Sequence, residues 1–257
     1  MDCIIMAGGA VSENDPLYSY TKGRPKSLLR INKLTMLEYV YRAIAASRYT
    51  ERIYIAGLDA SDIEGLEIPS ETPVIPDHGG IVTNVSVSMK RLIEENPDAY
   101  TVLLSGADIP LVTPKIIDAY IDDCRPFDCI AYYNLVTREI MEARFPHSER
   151  TFVKLRGHAV AGGDMTLVQS RILDTNEQLW EALVSGRKHA WKLAQLVGTR
   201  TLLKLLFRRM SIGDIEVLAS RILDAPVRIL NSPYPELAMD VDKPAQVDLL
   251  RSMLNLD

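Results

Sequence analysis

The chain is predicted to fold as an α/β protein on a mostly parallel, Rossmann-like sheet with helices on both faces. Short apolar runs recur ahead of Gly- or Pro-rich turns. They are continuous rather than alternating, as in strands buried on both sides. Stretches of helical periodicity separate them, which is the βαβ pattern.

The elements follow in order. Cys3–Ala7 is a buried strand running into Gly8-Gly9, and a long polar loop then extends from Ala10 to about Pro25. Thr35-x-x-Glu38 forms a capping box, and Leu37, Val40, Tyr41 and Ile44 continue at helical spacing. Arg52–Ala56 and Thr72–Pro76 read as strands. Asn84–Glu95 reads as a helix, with Val85, Met89, Leu92 and Ile93 on one face. Thr101–Ser105 is an apolar strand stopped by Gly106-Ala107-Asp108, and Thr113-Pro114 opens the next helix. Asp128–Tyr133 is a further strand. The pattern then changes: Thr151–Arg156 and Met165–Gln169 read as strands around Gly157 and Gly162-Gly163, an antiparallel excursion. Asn176–Leu223 reads as helical, Pro226–Leu230 as a returning strand, and Pro244–Leu254 as an amphipathic helix. The expectation is one domain spanning 1–257, with a helical insertion at about 176–223.

Composition narrows the functional classes. With 47% apolar and 25% charged residues, the chain suits a folded core and not wholesale disorder. No apolar run approaches the ~18–20 residues that a membrane span needs. The start, Met1-Asp2-Cys3-Ile4, reads as a strand and not as a signal peptide. Cys3, Cys124 and Cys129 have no ligand-set spacing, so neither a disulfide framework nor a zinc site is expected, and a cytoplasmic location is. Net charge is −5, yet residues 185–210 carry seven Lys/Arg and no acid, which leaves −12 for the rest. That basic segment suggests an anionic partner, a dimer contact or a lipid-facing helix, or else a helix with a solvated basic side. Nucleic acid is not expected as a partner of a chain that is acidic overall.

Three loops carry the candidate chemistry. After the first strand come Ala7-Gly8-Gly9 and then Lys22-Gly23-Arg24-Pro25-Lys26-Ser27. Glycines let backbone N–H groups approach phosphate, and Pro25 stiffens the chain ahead of the Lys26 charge. A solvated basic turn is the alternative. Neither G-x-G-x-x-G nor the P-loop pattern is present. Ser105-Gly106-Ala107-Asp108-Ile109-Pro110-Leu111 puts a carboxylate just past the carboxyl end of a buried strand, where open α/β sheets bind ligands. One Asp there suits Mg²⁺, and a turn aspartate is the alternative. Met239-Asp240-Val241-Asp242-Lys243-Pro244 is expected to turn only one of its two carboxylates toward Asp108, and charge at a helix start is the alternative. No Gly-x-Ser-x-Gly elbow supports a serine hydrolase.

Ala7-Gly8-Gly9, Pro25-Lys26-Ser27-Leu28-Leu29, Gly106–Leu111 and Asp240–Pro244, in this order, resemble the MobA-like nucleotidyltransferases of the GT-A-type fold. The resemblance implies that Ala7, Gly8, Gly9 and Lys26 hold the triphosphate of an NTP, either GTP or CTP, with Lys26 and Asp108 as catalytic residues. It implies Mg²⁺ on Asp108 and Asp242, the base and ribose near Gly79, Gly80 and Asn84, and a phosphorylated small-molecule acceptor near Gly162, Gly163 and Asp164. A monomer or homodimer is expected. Val11 and Glu13 stand where the family usually has a third Gly and an Arg. Either Lys22 or Arg24 is expected to replace that cation, or the chain binds a nucleotide or nucleotide sugar without catalysis.

Overall fold

A computed structural model describes residues 1–175 and 209–254. Strand β1 (Asp2–Met6) is central because its side chains are apolar on both faces: Cys3, Ile4 and Ile5 are wholly buried. Cys3 and Ile5 join one core cluster with α2 (Met36–Ala45) and α4 (Pro114–Asp123). Ile4 points the other way, into a second cluster with α3 (Ile81–Glu95). Alternation along a strand divides the core into these two layers.

β1 pairs in parallel with β4 (Arg52–Ala56) on one side and β6 (Thr101–Gly106) on the other. β5 (Val74–Ile75) extends the β4 side, also in parallel. Beyond β6 lies β9 (His158–Gln169), antiparallel both to β6 and to β7 (Ala131–Thr137). β10 (Val227–Asn231) closes that edge parallel to β7, and β8 (Val153–Leu155) pairs antiparallel with β9. The order is therefore β10-β7-β9-β6-β1-β4-β5, while β2 (Arg30–Ile31) and β3 (Leu34–Thr35) form a separate hairpin. The mostly parallel sheet covered on both faces is the fold class read from the sequence. Among the described residues, the remaining α-helices are α1 (Tyr18–Thr21), α5 (Arg138–Arg144), α6 (Ile212–Ile222) and α7 (Pro244–Met253).

The Thr35 capping box forms at the start of α2: Glu38 N–H donates to Thr35 Oγ1 at 3.2 Å, and Thr35 N–H to Glu38 Oε2 at 2.6 Å. The second Glu38 oxygen accepts from Glu67 N–H at 2.8 Å, which secures the β4–β5 connection. Several boundaries differ from the expectation. The loop after β1 contains α1, whose polar sequence lacks an apolar stripe. Residues 151–169 form a short strand and one long strand, so Gly162-Gly163 lie inside β9 and not at a turn. The α3 helix begins three residues before Asn84 and the strand at 128–133 is shifted to Ala131–Thr137. Of the helical stretch expected at 176–223, residues 212–222 are α6, and 176–208 lie outside the described residues.

Parallel β1, β4 and β6 deliver their carboxyl ends to one edge, where two backbones nearly touch. A Cβ on Gly8 would lie 2.7 Å from Gly57 O, and one on Gly57 would lie 2.6 Å from Gly8 Cα. Gly57 also has φ +92, a left-handed conformation that side chains resist. Gly65 has φ +76 but open space around it, so it isolates the conformational part. Gly57→Ala is expected to lower unfolding free energy by about 2 kcal/mol or more, against about 1 kcal/mol for Gly65→Ala, measured by urea denaturation.

Candidate active site

The site is assembled from segments far apart in sequence. After β1 the chain returns through α1 to a single 3₁₀ turn, Lys26–Leu28, entered from Pro25. Buried Ser27 donates its hydroxyl to Ala7 O at 2.6 Å and ties that turn to the exit of β1. Lys26 Nζ is thereby placed 2.6 Å from Asp108 Oδ2 and 2.6 Å from Asp242 Oδ1. The segment before α7 is laid across Asp108, whose carbonyl accepts from Val241 N–H at 3.2 Å. Buried Gln246 Oε1 accepts from both Asp242 N–H, at 2.7 Å, and Lys243 N–H, at 2.9 Å, which fixes the entry to α7.

Oxygens of Asp108, Asp240 and Asp242 lie within 4.8 Å of one another. The expectation that only Asp242 would face Asp108 is corrected here. Residues two apart in an extended segment share a side, so Asp240 joins the cluster too. Asp240 is ion-paired to the Arg150 guanidinium, which also donates to Gly162 O at 3.2 Å and lies 3.8 Å from Asp164 Oδ2. Asp240 and Arg150 were both missed from sequence. The alternation could have found Asp240. Arg150 has no local signal, because only the fold brings it there.

Burial opposes a charge on Lys26, but Asp108 and Asp242 outweigh it and hold the ammonium above its ordinary range. Burial, reinforced by the charge of Asp108, pushes the Asp164 carboxyl up to about 7, even though Arg150 and Lys26 pull it down. Burial also pushes the Cys3 and Cys124 thiols up to about 12, so neither is a ready thiolate nucleophile.

The other expected residues are placed as follows. Gly8 abuts Gly57 and Gly9 has φ +101. Asn84 is buried, and its amide is committed to the loop before α3: Oδ1 accepts from His78 N–H at 2.6 Å and Nδ2 donates to Asp77 Oδ1 at 2.8 Å. Asp77 Oδ1 also accepts from Gly79 N–H, at 3.0 Å, and Gly80 caps α3. Gly163 has a packing reason: a Cβ there would meet Asn134 Oδ1 at 1.7 Å, opposite a register irregularity in β7. Asp164 lies beside the end of β6, its Cβ 3.3 Å from where a Gly106 Cβ would sit. Lys22 and Arg24 are exposed and touch none of the clustered carboxylates among the described residues. Arg24 instead lines a separate cavity of about 330 Å³ with Tyr20, Arg30 and Arg251. The second cation paired to the clustered carboxylates is Arg150. Of the basic segment 185–210, residues 185–208 lie outside the described residues. Among those described, no helix is long and apolar enough to cross a membrane.

Comparison with known proteins agrees with this architecture. A family profile for the MobA-like NTP transferase domain matches residues 3–212. A solved structure described as a hypothetical transferase from Thermus thermophilus is 30% identical, with TM-score 0.78, covering 96% of this chain and 98% of that one. A CMP:2-keto-3-deoxy-manno-octonic acid synthetase solved with CTP is similar at 12% identity and TM-score 0.57, over 99% and 97% of the two chains. So is 4-diphosphocytidyl-2C-methyl-D-erythritol synthase from Anaerococcus prevotii DSM 20548, at 12% and 0.57 over 99% and 95%. These last two share the fold. No curated protein matches the chain. Fold and profile together define the class, an α/β nucleotidyltransferase. Within that class, the chain belongs to the family of the MobA-like NTP transferase domain.

The Asp164 shift has a sign that can be tested in metal-free protein. Its folded pKa of about 7 exceeds the ordinary 3.8, so the folded state holds the proton more tightly than the unfolded chain. Stability from this group is complete below the ordinary value and is lost as pH rises through about 7. Asp164→Asn is expected to unfold at a higher denaturant concentration than wild type at pH 8 in EDTA, with the gap narrowing toward pH 4.

Proposed function

We propose that this protein moves a nucleoside monophosphate from an NTP, GTP or CTP, to a phosphorylated small-molecule acceptor, with Mg²⁺ required and pyrophosphate released. The carrying observation is the convergence of Asp108, Asp240 and Asp242 with Lys26 bridging two of them. The donor set fits the metal. Its ligands are hard carboxylate oxygens, as Mg²⁺ takes, and Asp240 Oδ1 is buried with the Arg150 guanidinium as its counter-charge. The three clustered carboxylates Asp108, Asp240 and Asp242 face two cations, Lys26 and Arg150, so negative charge is left over for a divalent ion to neutralise.

Asp108, Asp240 and Asp242 would hold the metal, which when bound supplies charge neutralisation to the phosphates. Lys26 turns its ammonium to the triphosphate and stabilises charge developing around the α-phosphorus. Gly8 lets the turn pack against Gly57, and Gly9, with open space where a Cβ would stand, leaves the backbone bare for phosphate oxygens to approach. An acceptor phosphate oxygen bonds to the α-phosphorus, the bond to the β-phosphate oxygen breaks, and pyrophosphate departs with that electron pair. The attacking oxygen is already anionic near neutral pH, so no general base is needed. The neighbours named for cytidylyl chemistry support a nucleotide substrate. Asn84 acts as a positioning residue for the loop at 77–80, beside the nucleotide.

Val11 and Glu13 favour a second reading, a nucleotide or nucleotide-sugar binder without turnover. A panel of four NTPs against phosphorylated acceptors, scored by pyrophosphate release, separates the two. Asp108→Asn is expected to cut the rate by about a hundredfold or more while the melting temperature stays near wild type; undiminished turnover in that variant sinks the assignment. Asn84→Ala is expected to raise KM for the NTP several-fold, about 1 kcal/mol of binding, with kcat nearly kept.

A further inference from the structure

Resting on the metal and acceptor reading above, we propose that Arg150 is the resident counter-ion of Asp240 in the metal-free protein. It gives that carboxylate up when a divalent cation is bound and turns its guanidinium to the anionic group of the acceptor. Four observations carry this. The Arg150 side chain is only 9% exposed, and it stands between the carboxylate trio and β9: one Nη meets Asp240, the other Gly162 O and Asp164. Its pairing is incomplete, since Nε of Arg150 and Oδ2 of Asp164 are buried with no hydrogen-bond partner. A guanidinium is always charged, and its fork suits a phosphate better than a single carboxylate oxygen. The backbone beside it is anchored, because Lys243 Nζ donates to Glu149 O at 2.5 Å. The side chain can therefore swing while its loop stays in place.

Arg150 and a divalent ion repel each other across a shared Asp240 carboxylate, so occupation by one weakens the hold of the other. That competition is reciprocal. Removing the guanidinium then strengthens metal binding, the opposite of what loss of a merely structural arginine does. The same removal takes away a phosphate ligand on the β9 side. Lys26 is displaced from Asp108 and Asp242 in the same manner, but toward the triphosphate, so the two cations serve different substrates.

The test uses the full chain and Mn²⁺ alone, titrated into metal-free protein and read by the EPR signal of the free ion. Arg150→Met is expected to bind Mn²⁺ about tenfold more tightly than wild type. Arg150→Lys, which keeps the charge, stays close to wild type. In an Asp240→Asn background, Arg150→Met changes nothing. With Mg²⁺ saturating, calorimetry is expected to find inorganic phosphate bound several-fold more weakly by Arg150→Met than by wild type. Mn²⁺ affinity in Arg150→Met equal to or weaker than wild type, with native circular dichroism, overturns the counter-ion role, as does Arg150→Lys binding Mn²⁺ as tightly as Arg150→Met. Equal phosphate affinity overturns the acceptor role. Wild type that binds no Mn²⁺ overturns the metal reading itself, and this proposal with it.

Discussion

Carboxylates from separate parts of a chain share a few ångströms only when cations stand among them. Here Lys26 bridges Asp108 and Asp242, and the lysine and Asp242 are 216 residues apart in sequence. The bridge is a constraint on the whole molecule. It requires that the turn after α1, the end of β6 and the entry to α7 converge, and each is pinned by a backbone-directed bond. Ser27 holds the first to β1, Val241 N–H holds the third to Asp108, and Gln246 shapes the approach to α7. Charge thereby couples the beginning and the end of the chain at the carboxyl edge of the sheet.

Why that edge and not another follows from strand direction. Parallel β1, β4 and β6 end together, so the loops that follow them are neighbours without any long excursion. Their closeness demands glycine at Gly8 and Gly57, where backbones approach too tightly for a Cβ. The antiparallel β9 contributes differently. It brings its middle to the edge, with Met165 paired to Ser105 of β6 and Asp164 just beyond. A strand reversed in an otherwise parallel sheet thus supplies an acidic residue, Asp164, where a parallel strand would contribute only its end.

The parts of this arrangement legible in sequence are the local ones. Continuous apolar runs disclosed the strands, because burial on both faces leaves no other pattern, and Thr35-x-x-Glu38 disclosed the start of α2 because a capping box is a contact within four residues. Lys26, Asp108 and Asp242 were legible through their turns, where glycine and proline mark irregular backbone. Arg150 was not, since its partners lie on β9 and before α7. Asp240 was legible in principle and was missed through the face assigned to it. The reversal of β9 was only partly legible. Nothing in Gly162-Gly163 distinguishes a turn from a strand interior until Asn134 is seen to fill the space opposite. Likewise α1 is short and polar, and it forms because its neighbours hold it.

The position of the second cation has a chemical consequence. An arginine in the loop after β1 would sit beside Gly8 and Gly9, on the same side as Lys26. Here Val11 is buried at the corresponding place and Glu13 is exposed, so the part of the loop nearest Gly8 and Gly9 contributes shape and backbone but no cation. The guanidinium stands instead between Asp240 and β9. Positive charge is thereby divided across the carboxylate cluster, Lys26 on one flank and Arg150 on the other. Two cations on one flank would repel each other and leave Asp164 facing Asp108 unrelieved, and Asp164 is already pushed upward by burial and then by that neighbour. Dividing the charge lowers both repulsions at once. It also leaves each flank with one group suited to an anion, the distribution that the proposed reaction between two phosphate-bearing molecules needs.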